Sequence, residues 1–410
     1  NLMYRADGRG ESLLRRGVEA VEVCVDSLES ARTAIHTALS TVVTASSSSP
    51  SSALHPPVTL RLELCSSLPQ GGLTPTFGMV RAICDLIAQG PTAAASSPHT
   101  PPRTGSSHDA AAWDPTVVRA TVATQEEMEV KRPPSLFGRS PTIEVSLMIR
   151  CRAGGDFCYN DDEMTTMVLD ATAFAAAFGS VPFITGIVFG ALCPSAATSD
   201  HDGPPSPRSD IDVGVCRRLC EVAASVGWSF TLHRAVDVWI DERRSTPPAA
   251  LLSELRQVCQ AVMATKAAAP PRTTECLFEP PQVVPQRRRR PIRMMILTSG
   301  GCATAERGVA WLRWLCPSIV LPHGDVVEGG AAASAKGVLH VSVMTASGIG
   351  HANVEALLSA TNAAYVHFSC KRVVDAQTSL TLGGPVTPRN SGSPWKRLPG
   401  GTALKWMLNS

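Results

Sequence analysis

The chain has 410 residues, 44% of them hydrophobic and 18% charged, with a net charge of +2. That is enough apolar material for a large core and, by length alone, for two or three domains, while the near balance of charge argues against a nucleic-acid or membrane partner. No apolar run reaches the ~20 residues that a membrane span needs and no charged-then-apolar leader opens the chain, so the expectation is a soluble, cytoplasmic protein.

Along the chain, strand-like runs alternate with helix-like runs. Val21 to Val25 precedes a helix from Leu28 to Val43; Val58 to Cys65 precedes Thr76 to Gln89; Ile143 to Arg150 precedes Asp161 to Phe178. Phe183 to Leu192 then leads to a helix from about Ile211 to Val226, Ser229 to Ala235 to one from Ala249 to Thr265, and Arg293 to Ser299 to one from Thr304 to Cys316. Strands Val338 to Thr345 and Ala363 to Cys370 flank a last helix from His351 to Ala360. Eight strands, each but the last followed by a helix, predict an α/β fold closed as a single (β/α)8 TIM barrel.

Between these elements lie Pro-, Ser- and Ala-rich segments that cannot pack a core, near 44–57, 91–140, 194–209, 267–291 and 317–337. Without them and the first 17 residues roughly 230 remain, close to the size of one barrel. The expected organisation is therefore a barrel domain over 18–375 with long low-complexity loop insertions, then a Gly/Pro-rich tail over 376–410. Arg287 to Arg290 within one insertion reads as a solvated charge run, with nuclear access as the other reading. The 13 cysteines form no CxxC pair, which suits reduced, mostly buried thiols better than a disulfide scaffold.

A barrel meets its ligands at the C-terminal ends of its strands, and here those ends are polar. The first strand ends Glu22-Val-Cys24 and the second Arg61-Leu-Glu63-Leu-Cys65, each placing Glu and Cys two apart and hence on one face. If that face is the interior, adjacent parallel strands about 4.8 Å apart bring Cys24 and Cys65 within reach of one soft ion, and two thiolates suit Cu(I). Both cysteines could equally be small hydrophobes filling the barrel, or form a disulfide.

The third strand runs through Glu144, Met148 and Arg150 into Arg152, Gly154, Gly155 and Asp156, as for gripping an anion or for a surface salt bridge. The fifth ends His233-Arg234-Ala-Val-Asp237, an acid–base set in which Asp237 or Glu22 could hold the imidazole's tautomer. The sixth ends Thr298-Ser299-Gly300-Gly301, a turn that could cradle an anion at a helix N-terminus.

Taken together, Glu22 to Ser27, Arg61 to Ser66 with Gly71 to Pro75, Met148 to Tyr159, Val188 to Leu192, His233 to Asp237 and Leu297 to Gly300 resemble the CutC copper homeostasis family. The resemblance implies a cytosolic TIM barrel associated with copper tolerance, with Cys24 and Cys65 at the positions proposed to bind Cu(I). The chain departs from the family pattern at Cys151 and Ala153, at Thr345 to Gly348, and in the last strand, where His367-Phe-Ser-Cys-Lys371 stands for His-Cys-Ser-Ala-Arg.

The expected function is copper homeostasis, with a copper ion as partner and homo-oligomerisation open. The alternative is an enzyme acting on a small anionic ligand. There His233, Glu22, Glu63, Asp156 and Asp237 would supply acid/base chemistry, and Arg150, Arg152, Arg234, Ser299 and His367 would hold the ligand.

Overall fold

The computed structural model describes residues 17–46, 58–89, 142–195, 209–264, 293–316, 319–321, 339–369, 371–373 and 395–397. Eight strands form the barrel: β1 (Ala20–Val25), β2 (Thr59–Leu64), β3 (Ile143–Met148), β4 (Ile184–Phe189), β5 (Ser229–His233), β6 (Met294–Thr298), β7 (Leu339–Thr345) and β8 (Tyr365–Phe368). Each pairs in parallel with the next, and β8 pairs back onto β1 with Glu22 beside His367, so the sheet closes. The helices are α1 (Leu28–Ser46), α2 (Phe77–Ala88), α3 (Asp161–Phe178), α4 (Val213–Ser225), α5 (Ala235–Asp241), α6 (Pro248–Met263), α7 (Val309–Leu315) and α8 (Val354–Thr361).

The period-two pattern decides which side of each strand meets the helices. Val21, Val23 and Val25, Leu60, Leu62 and Leu64, and Val145 and Leu147 point outward into one apolar layer shared with Ile83, Met167, Phe174, Leu219 and Leu255 of the helices. The alternate residues fill the interior. Local signals set the helix starts: Asn160 and Glu163 form a reciprocal capping box on α3, and Thr76 and Asp212 accept from backbone N–H groups of α2 and α4.

Three local readings change. The fourth strand stops at Phe189; glycine follows at 190, where a side chain would collide with the His233 carbonyl, and the chain resumes as a short hairpin, Leu192–Pro194 against Ser209–Ile211. Helix α5, absent from the sequence reading, begins directly after β5. The helix expected from Thr304 starts only at Val309, since the Gly308 backbone packs against the Ser299 carbonyl and residues 304–308 form turns. Most of each proposed insertion lies outside the described residues, as does most of the 376–410 tail, although Trp395–Arg397 pairs antiparallel with Lys371–Val373. No helix among the described residues is long and apolar enough to cross a membrane.

Candidate metal centre

The interior polar residues of β1, β2, β3 and β8 build the site in layers. In register, Glu22 lies beside Arg61 and Arg61 beside Glu144, so charge alternates across three strands. Arg61 donates from Nε to Glu22 Oε2 at 3.0 Å, from Nη1 to Glu144 Oε2 at 2.9 Å and from Nη2 to Ser146 Oγ at 3.0 Å. This guanidinium, to which the sequence reading gave no role, is the counter-ion of the interior. Nearer the mouth, Cys24 lies beside Glu63, and Cys24 Sγ stands 2.6 Å from Glu63 Oε2 and 3.3 Å from His367 Nε2. The other ring nitrogen of His367 contacts Glu22 Oε1 at 3.0 Å, which fixes the imidazole plane. Cys24, Glu63 and His367 each present one ligand atom within 4.8 Å of the others, and all three are buried.

Electrostatics bind these groups to one another. Burial would raise the Glu22 carboxyl, but His367 and Arg61 hold it below the usual range. Glu63 goes the other way: burial, helped by the charge of Glu22, lifts it despite the opposing pull of His367. Its Oε1 is buried with no hydrogen-bond partner among the described residues. The Cys24 thiol is held well above an ordinary cysteine, first by the adjoining Cys65 thiol, then by burial and by Glu63.

Cys65 is fully buried under the β2 loop. A two-way bridge between Ser66 and Leu73 closes this loop over a 3₁₀ turn at Leu68–Gln70. A side chain on Gly72 would come within 3.3 Å of Cys65 Cβ and 3.5 Å of Met148 Cε, and φ is +87° there, so glycine lets the loop lie on both sulfur residues. Cys24, Cys65, Leu68, Met148 and Val188 form one buried cluster. The cluster thus sets soft sulfur donors beside a hard carboxylate oxygen.

The other predicted residues are distributed differently. Arg152 lies on the loop, paired with Asp156 at 3.0 Å and Glu163 at 2.5 Å, and Asp156 sits with it outside the barrel. Asp237 does not orient His233: its Oδ1 accepts from Thr298 Oγ1 at 2.6 Å and from the Ser299 and Gly301 N–H groups at 2.9 and 3.0 Å. The turn read as an anion cradle thus holds the chain's own carboxylate, Ser299 Oγ bonds the Cys302 carbonyl, and no helix starts there. His233 is buried and kept neutral, first by burial and then by Arg234, His367 and Arg150, and Glu22 is bound to His367 instead. Arg150 and Arg234 remain at the mouth on either side of Gly71. The described cysteines are free thiols, and on the helices burial pushes Cys216, Cys220 and Cys259 up to about 12, as inert core residues.

A closed parallel barrel of eight strands with helices between them is a TIM barrel, and its buried thiol–imidazole–carboxylate cluster lies at the C-terminal ends of the strands, where such barrels meet their ligands. Comparison with known proteins gives its relatives. The CutC family model matches residues 135–256. A CutC family protein of Glaesserella parasuis is 28% identical over 246 residues, covering 59% of this chain and 69% of the relative. One from Vibrio vulnificus is 36% identical over 103 residues, covering 25% of this chain and 34% of the relative. The solved structure of the putative copper homeostasis protein CutC from Streptococcus agalactiae covers 85% of this chain and 98% of its own at 14% identity, with a TM-score of 0.39; the fold assignment rests on the strand pairings rather than on it. The chain is thus related to the CutC copper homeostasis family, and it spans about two thirds of the first of these relatives but only about a third of the second.

Proposed function

We propose that this protein binds Cu(I) as its cargo through Cys24 and Cys65, with His367 as a third donor. The observation that carries the reading is the convergence of Cys24 Sγ, His367 Nε2 and the Glu63 carboxylate within 4.8 Å, beside the Cys65 thiol. Two thiolates and an imidazole make a soft, low-coordinate set that suits Cu(I), whereas a structural zinc site takes four ligands. The Met148 thioether lies in the same cluster as a further soft donor. Metal binding requires the thiols to lose their protons, and Glu63 is already the acceptor of the Cys24 S–H. Related proteins of the CutC family support the copper assignment. A cytoplasmic location goes with this reading and is checked by cell fractionation.

Competition against a chromogenic Cu(I) chelator tests it on the reduced protein, on the Cys24→Ser, Cys65→Ser double variant and on His367→Ala. Tight one-to-one binding, lost in the double variant and weakened in H367A, is the expected result. Equal, weak binding by all three would reject a thiolate site.

One observation favours the enzyme alternative. Cys24, His367 and Glu22 stand in the order thiol, imidazole, carboxylate, with contacts of 3.3 and 3.0 Å, the order of a nucleophile, its base and the base's orienter, while Glu63 takes the S–H and the thiol is held up as the resting state. Under that reading His367, rather than His233, is the base. Rapid alkylation of Cys24 by iodoacetamide in the metal-free protein, slowed in H367A, would support it; slow alkylation unaffected by H367A would count against it.

A further inference from the structure

Two arginines at the barrel mouth, Arg150 and Arg234, have no carboxylate partner among the described residues. Of the buried arginines, Arg61 faces Glu22 and Glu144, and Arg243 faces Asp210 and Glu254. Arg150, equally buried, pairs with no carboxylate among the described residues. Its Nη1 donates to the carbonyls of Gly71 and Gly72, both at 3.3 Å, its Nη2 to the carbonyl of Gly154, and its Nε has no partner; the Phe157 ring lies 5.3 Å from the guanidinium. Neutral carbonyls satisfy hydrogen bonds but leave the positive charge uncompensated.

The second such arginine stands beside it. A Cβ on Gly71 would come within 3.0 Å of Arg234 Nη1 and 3.1 Å of Arg150 Nη1, so the two cationic groups flank one glycine that presents no side chain. Arg234 is exposed, and among the described residues its side chain has neither a hydrogen bond nor an ion pair. Its backbone is held at φ +44°, a region that residues with a Cβ rarely occupy, between the fully buried Ala235 and the buried His233. Two like charges held together at a surface opening, one desolvated, are an arrangement that repels itself until an anion joins them.

We propose that the barrel mouth between Arg150 and Arg234, over Gly71, binds the oxyanion group of a small ligand, a phosphoryl or a carboxylate. The planar guanidinium of Arg234 is free to take two oxygens at once, and Arg150 supplies fixed charge from below. The site adjoins the thiols but uses other groups: the Cβ position of Gly71 faces the two arginines, that of Gly72 faces Cys65, and Arg150 reaches only the Gly72 carbonyl. It therefore does not rest on the copper reading, and either can fail without the other.

The test is calorimetric titration of the reduced, metal-free full chain with inorganic phosphate and, separately, with succinate, at constant ionic strength. Saturable one-site binding of at least one probe is expected, and which one binds distinguishes the two sources of oxyanion. Arg234→Ala should weaken it about tenfold or more, with R234K intermediate. R81A, on the remote helix α2, should bind as the wild type does. Absence of saturable binding of both probes, or wild-type affinity in R234A, would overturn the proposal. Binding retained in R234A but lost in the double cysteine variant would also overturn it, by moving the anion to the thiol pocket. Arg234 is exposed, so its replacement leaves the core packing in place.

Discussion

Two sectors of the barrel interior, built from the same kind of strand, are chemically opposite. On the side of β6 and β7, Met295, Leu297, Met344 and Ala346 make an apolar cluster with Ala20 and Tyr365, with Ser342 the polar residue of the same parity. On the side of β1, β2, β3 and β8 they are Glu22, Cys24, Arg61, Glu63, Ser146 and His367, nearly as well buried. Apolar packing suffices to fill the first sector, so the second is not polar for want of an alternative. Burying several charges costs several kcal/mol per ion before pairing. The contrast marks the polar sector as the candidate site, in which Arg61 and the outer carboxylates hold the thiol, imidazole and carboxylate in place.

The comparison can be broken most forcefully at Arg61. Arg61→Ala leaves Glu22 buried without its cation and should cost about 3–5 kcal/mol in urea unfolding. Combining Arg61→Met with Glu22→Gln should recover much of that stability, yet release His367 and weaken Cu(I) binding about 10–100-fold in the chelator assay. If the double variant kept full affinity, the interior charges would be ordinary filling. In the apolar sector Leu297→Ala should cost about 2–5 kcal/mol by leaving a cavity, with Cu(I) affinity unchanged. A large loss of affinity there would erase the distinction between the sectors.

Acid pH sharpens the comparison at His233. Because its folded pKa lies well below that of the unfolded chain, the unfolded state binds a proton that the native state refuses; stability should therefore fall as pH drops below about 6.5. In His233→Gln this loss between pH 7.5 and 5.5 should be smaller, measured as the difference in unfolding free energy; an equal loss would mean that other groups carry the acid sensitivity. The smallest effect is expected on the helix surface, where Arg81→Ala removes only an exposed pair with Asp85 and should change stability by no more than about 0.5 kcal/mol.

Much of the site was legible because strand geometry is local. A period of two puts Glu22 with Cys24, Arg61 with Glu63 and Cys65, and Met148 with Arg150 on single faces, and the structure turns those faces inward. His367 was read as a ligand-holding residue, but its place against Cys24 could not be, since the two are 343 positions apart and meet only when β8 closes on β1. Asp237 was misread for a related reason. Four residues from His233 it looks like an acid–base partner, but α5 carries it away to the Gly300–Gly301 turn, whose backbone N–H groups need an acceptor. Parity would carry Arg152 inward with Glu144, Met148 and Arg150, but the strand ends at Met148; beyond it the loop sets direction, and Arg152 pairs with Asp156.

The sequence by itself determined the alternation of strands and helices, the barrel class and the parity of each strand, because these follow from repeats of two and 3.6 residues and from the burial of apolar faces. Only the tertiary structure decided which charges found partners. That choice depends on cross-strand register and loop reach, which join residues scores to hundreds of positions apart: Arg61 gained two carboxylates, Asp237 a glycine turn, and Arg150 and Arg234 none among the described residues.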